Sequence, residues 1–118
     1  MTDIQIMFCG MPVSDFERSS SWYAELFGRP ADVLVKDDES MWRISESAWL
    51  YVVRDEQRAG RSIVTLLVAD LDMAVREIKA RGMEIGPVES VGDAGNKAST
   101  TDPDGNLVSF IQVAGAGA

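Results

Sequence analysis

The chain contains no histidine. That absence removes the commonest metal ligand, the commonest general base near neutral pH and every serine or cysteine triad built on an imidazole. Cysteine occurs once, as Cys9, which excludes an intramolecular disulfide and any zinc site built on paired cysteines. Basic residues are scarce too: 11 lysines and arginines stand against 19 acids, a formal net charge of −8. A field of that sign repels nucleic acid and anionic membranes, attracts cationic small molecules and also serves plain solubility. No apolar run approaches the length of a membrane span, and the first residues lack the basic-then-apolar layout of a signal peptide. The reading is therefore cytoplasmic, with neither nucleic acid nor membrane as partner.

What is present suits a single globular domain. The 118 residues are 46% hydrophobic and 25% charged, enough for one core and too few for two. One unit is written twice. Residues 8–16 line up with residues 63–71 at a constant offset of 55, each segment starting as a strand and ending at an aspartate able to cap a helix. The first helix has two candidate caps, Ser14 in a capping box with Glu17, or Asp15. Phe16, Ser20, Tyr23 and Phe27 recur at helical spacing with Leu26 beside them, and Gly28 and Pro30 end the run. The second helix starts at Asp70, buries Leu71, Ala74, Val75 and Ile78, and stops at Gly82.

Strand-like pieces follow each helix, at 32–35, 41–45 and 49–53 and again at 84–88, 97–101 and 107–113. Each unit reads β-α-β-β-β. The charged stretch 54–61 is the expected linker between modules at about 3–54 and 61–113, and the side-chain-poor tail 114–118 is expected to fray. Strand parity places Cys9, Met11 and Val13 on one face and Val64, Leu66 and Val68 on its counterpart, all apolar and expected under the helices. Cys9 is accordingly read as inert. The opposite parity carries Phe8, Gly10 and Pro12, then Ile63, Thr65 and Leu67, as a second core layer or the wall of a cavity. Asp37, Asp38 and Glu39 read as a solvated loop, and Asp102 and Asp104 as side chains bonding the amides of their own turn.

This repeat, the stretch from Val13 through Trp22 and Tyr23 to Gly28, and the turn Thr101-Asp102-Pro103-Asp104-Gly105-Asn106 together resemble the vicinal-oxygen-chelate superfamily. That group includes glyoxalases, bleomycin-resistance proteins and extradiol dioxygenases. The resemblance implies an α+β fold in which two β-α-β-β-β modules form a curved, cup-shaped sheet. It also implies four inward positions that bind a divalent ion in metal-dependent relatives. One lies seven residues before each capping aspartate, at Phe8 and Ile63, a third lies three after the turn's asparagine, at Ser109, and the repeat puts the fourth at Tyr51. Phenylalanine and isoleucine have no lone pairs, and neutral hydroxyls are poor transition-metal ligands. The implied protein is a member with a degenerate metal site, without metal or other cofactor and with no assigned catalytic residue.

The resemblance then implies a homodimer that binds a small molecule, as metal-free bleomycin-resistance relatives sequester a cationic drug. Phe8, Trp42, Trp49, Tyr51, Ile63, Thr65 and Ser109 are the candidate lining of the cup, with the facing of Trp42 and Trp49 left open; Lys97 and Ser99 are further polar contacts or, like Ser109, equally surface residues, and Trp22 lies at a rim or an interface. Two other readings stay open: a glyoxalase-like lyase, isomerase or dioxygenase-related enzyme using the same cup, and an interaction module whose cup is filled by its own aromatic side chains.

Overall fold

The computed structural model describes residues 2–113, so the predicted tail lies outside the described residues. The first unit comprises β1 (Met7–Val13), α1 (Phe16–Phe27), β2 (Val33–Lys36), β3 (Glu39–Ser45) and β4 (Ala48–Arg54). The second comprises β5 (Ile63–Leu67), α2 (Leu71–Ala80), β6 (Glu89–Ser90), β7 (Asn96–Thr101) and β8 (Leu107–Gln112). Each unit makes its own four-stranded mixed sheet, in the orders β1-β4-β3-β2 and β5-β8-β7-β6. In both, the opening strand runs parallel to its neighbour and the remaining pairs are antiparallel. The architecture is α+β.

Local chemistry explains the elements. Asp15 caps α1, accepting from the Arg18 amide at 3.2 Å, and Asp70 caps α2, accepting from the Met73 amide at 3.0 Å. Ser14, the alternative cap, is drawn away: its hydroxyl donates to Asp104 in the other unit. On α1 it is Ser19 rather than Ser20 that is fully buried, while the Ser20 hydroxyl lies 3.2 Å from that of Ser40. The helix-facing strand parity holds Met11, Val13, Leu50 and Val52 in the first sheet and Val108 and Phe110 in the second, all in the core.

Three strand expectations are corrected. Residues 84–88 form no strand, and only Glu89–Ser90 pairs with β7. Pro87 has no N–H for a ladder, so the segment is tied down singly, by the Gly86 amide donating to Ser99 O and the Thr100 hydroxyl donating to Glu84 O, each at 2.8 Å. Glu39 is not in a loop. The β2-β3 hairpin turns through Asp37 and Asp38 alone, and Glu39 opens β3 opposite Val53. The predicted linker begins inside β4, which extends to Arg54. Its far end is pressed against the other unit, where a Cβ on Gly60 (φ +81°) would lie 2.3 Å from the Asp104 carbonyl oxygen. Only glycine fits there.

The two units are joined by a buried polar knot. Asp102, 4% exposed, accepts from the Tyr23 hydroxyl (2.8 Å), the Asp104 and Asn106 amides (2.9 and 3.0 Å) and the Asn106 side chain (2.7 Å). Asn106 also donates to Pro12 O at 2.8 Å and accepts from the Ser62 amide at 2.9 Å. Asp102 thus bonds the amides of its turn as expected, whereas Asp104 takes Ser14 instead. Burial, followed by the Asp102 charge, pushes the Tyr23 hydroxyl far above its ordinary range. A second tie crosses the helices: the Arg81 guanidinium donates to Glu25 O and Leu26 O at 2.6 and 2.8 Å, satisfying the last carbonyls of α1.

Tyr23→Phe removes the one donor to Asp102 that comes from the first unit, so a stability loss of about 2 kcal/mol is expected in urea unfolding. The pH dependence has a definite sign. Because the folded hydroxyl titrates above its unfolded value of about 10, wild-type stability is intact below that pH and falls above it. Tyr23→Phe should fall less steeply there, and parallel alkaline curves would contradict the buried protonated hydroxyl.

Candidate binding faces

Each sheet has one face covered by its helix and one that is not. On the first sheet the register aligns Phe8 with Trp49 and Arg43, and Gly10 with Tyr51 and Met41, on the uncovered inner face. On the second it aligns Ile63 with Leu107 and Thr101, and Thr65 with Ser109 and Ser99. Six of the seven predicted lining residues therefore lie on these inner faces. Trp42 does not. It pairs with Leu50 on the helix-facing side, fully buried against Tyr23 and Phe27, with ring centroids 6.3 and 5.8 Å away and its indole N–H donated to Arg29 O at 3.0 Å. The core needed a large ring under α1, and Trp42 fills that space. Trp22, half-buried, packs edge-on against Tyr23 at 4.8 Å.

The first inner face is aromatic. Phe8, 52% exposed, stacks on Trp49 with centroids 6.5 Å apart and planes 26° from parallel. Tyr51 lies across the neighbouring strand. A Cβ on Gly10 would meet Tyr51 ring atoms at 2.6 Å, so the absent side chain is what lets the phenol lie flat on β1. This role of Gly10 escaped the reading of the sequence, although the repeat carried a signal: Gly10 stands where Thr65 stands, opposite the position shared by Tyr51 and Ser109. The second inner face is mixed. Ile63 is 71% exposed and Thr65 is exposed, whereas Ser109 is buried, its hydroxyl 2.8 Å from that of Ser99.

Two cavities adjoin these faces. One of about 320 Å³ lies where the units meet and is lined by Met7, Cys9, Trp49, Thr65 and Leu67 among others, bringing Trp49 and Thr65 together from different sheets. A more open one of about 580 Å³ runs beside β7, against Met83, Gly86, Ser99, Thr101 and Leu107. Burial raises the pKa of the Cys9 thiol above its ordinary value.

The four positions at which the resemblance implies a metal carry side chains that do not fit one. Phe8 and Ile63 offer no donor atom, Tyr51 is turned flat over Gly10, and the Ser109 hydroxyl is engaged with Ser99. Among the described residues no three histidine, cysteine or acidic side chains are gathered as a metal-holding group, and no helix is long and apolar enough to cross a membrane.

Residues 5–110 match the family model of the glyoxalase/bleomycin resistance protein/dioxygenase superfamily, and the chain belongs to that family. A glyoxalase/bleomycin resistance protein from Catenulispora acidiphila superposes with a TM-score of 0.87 at 31% identity, over 92% of this chain and 98% of that one. A bleomycin-binding protein solved in complex with bleomycin aligns with a TM-score of 0.76 at 22% identity, over 96% of this chain and all of the other (100%). TnmS3, an antibiotic-binding protein from a Streptomyces species, gives 0.74 at 21% identity, over 97% and 98% of the two chains. At those lower identities the likeness is one of fold. No curated protein matches the sequence.

The Gly10–Tyr51 contact yields a test. Gly10→Ala forces the ring off the strand and should cost about 2 kcal/mol of stability by overpacking. In a Tyr51→Ala background the same change should cost almost nothing. Equal costs in both backgrounds would mean that the ring does not rest on Gly10.

Proposed function

We propose that this protein is a metal-independent small-molecule binding protein, acting in the cytoplasm as a homodimer that holds an aromatic compound against its inner faces. The observation that carries the reading is the identity of the side chains at the family's metal positions: Phe8 stacked on Trp49, Tyr51 beside them, Ile63, and a serine already hydrogen-bonded. Side chains of this kind stack rings and exclude water; they do not chelate. The bleomycin-binding and antibiotic-binding proteins of the same fold lend support, since a cup of this shape can bind bulky compounds.

Exposure supports the dimer. Met7 (67%), Phe8, Ile63 and Leu67 (61%) stand open on β1 and β5, and each of these strands is an edge of its sheet. A soluble chain that leaves such side chains open gains by covering them, and a second copy offers the same surface in return. The covered faces then enclose a site that one copy leaves open.

Two measurements test this proposal. A thermal-shift screen of aromatic and cationic antibiotics and metabolites should find a ligand that, at 100 times its dissociation constant, adds about 2.7 kcal/mol to folding stability. The same samples should sediment as dimers at micromolar concentration. Monomers alone, with no compound shifting the transition, would remove the proposal.

Metal independence has its own check. Protein dialysed against nickel, zinc and manganese and then washed with chelator should hold far less than stoichiometric metal by elemental analysis, because the four positions supply no imidazole or inward carboxylate. Stoichiometric transition metal surviving the wash would contradict it.

A further inference from the structure

The two inner faces are near-copies in backbone and differ in chemistry. Gly10, Tyr51 and Met41 on the first sheet correspond by register to Thr65, Ser109 and Ser99 on the second, and Glu39 corresponds to Lys97. The first sheet thus carries an aromatic face with an acid at its edge, and the second carries a hydroxyl row with a base at its edge.

The hydroxyl pair has a proton to spare. Two hydroxyls carry two donor protons, and the 2.8 Å bond between Ser99 and Ser109 uses only one. No other side-chain bond from either hydroxyl occurs among the described residues. Ser109 is 2% exposed, whereas Ser99 is half-buried and lines the larger cavity. An unused proton inside the protein is costly, so the favoured arrangement has Ser109 donating to Ser99 and the Ser99 O–H turned to the cavity. A hydroxyl that accepts one bond is a stronger donor of the next. Lys97 lies two residues along β7 on the same face, half-buried. Among the described residues its ammonium has no carboxylate within 4.0 Å, not even that of Glu89 opposite it on β6.

We propose that Ser99, held by Ser109 behind it and with Lys97 two residues along the strand, forms an acceptor-binding subsite that takes the carboxylate of an aromatic acid. This rests on the binding reading above and names the ligand class for it. The overall negative charge does not oppose an anion here. Beyond about 8 Å it is screened at physiological salt, and the nearer charges are Lys97 along the strand and Lys79 and Glu84, which line the same cavity as Ser99.

The test uses three probes that share one ring system: 2-naphthoate, 2-naphthylmethanol and 2-naphthylmethylammonium, titrated calorimetrically into the full chain. The carboxylate should bind about tenfold more tightly than either of the others, as a charge-assisted hydrogen bond would give. Lys97→Met and Ser99→Ala should each erase most of the carboxylate's advantage over the alcohol. Equal binding of all three would overturn the subsite and leave aromatic binding standing. The ammonium binding best would overturn the subsite in favour of a cationic ligand. Binding of none would overturn both readings. Lys97→Glu, at a half-buried position, should reverse the order of the two ions, and an unchanged order would remove Lys97 from the subsite.

Discussion

The carboxylate of Asp102 is the point on which the two halves of the molecule turn. It is buried, and a buried carboxylate is tolerated only when its oxygens are taken up by donors. Here the donors come from its own turn and from Tyr23 on α1, while its neighbour Asn106 reaches across to the Pro12 carbonyl at the end of β1. Opening this junction would strand a buried carboxylate and break the Asn106 tie to β1. The knot therefore sets how β1 and α1 sit against the β7-β8 turn, and with that the position of one inner face relative to the other.

Given that frame, the repeat explains why the helix-facing sides look alike and the inner sides do not. Beneath a helix, alternate positions must be apolar and closely packed, so Met11 and Val13 answer to Leu66 and Val68 under the same constraint. The inner positions carry no such requirement, because each sheet is already held by its ladder and its covered face. They are free to diverge. Taken as pairs, Gly10 with Tyr51 against Thr65 with Ser109, and Glu39 against Lys97, are differences that folding does not demand.

The legible features were those governed by local rules. Asp70 as a cap, Asp15 as one of two candidate caps, the alternating parity of β1 and β5 and the order of the two units followed from periodicity and from the repeat. Trp42 was misplaced because a tryptophan suits either face of a strand; what decided its face was the register with Leu50 and the space under α1, neither of which is local. The shortness of β6 had a signal in Pro87, outweighed by the analogy with the first unit. The Tyr23–Asp102 bond joins residues 79 apart and left no trace in sequence spacing. Pairs such as Ser99 and Ser109 became visible only with the register in hand.

A metal-independent inner face, as proposed, discriminates by a different principle from chelation. Stacking on Phe8, Trp49 and Tyr51 tolerates many rings, since every aromatic offers a π-face, so that half supplies affinity with little selectivity. Hydrogen-bonding groups out of solvent work the other way. Once a ligand covers the Ser99 hydroxyl, a compound with no acceptor leaves its proton unpaired at a desolvated site and bears the full cost. Lys97 raises the stakes, because covering an ammonium without a counter-charge costs more than covering a hydroxyl. On the proposed reading, selectivity resides in the few polar positions where the second unit departs from the first, and the aromatic floor sets how tightly whatever passes that filter is held.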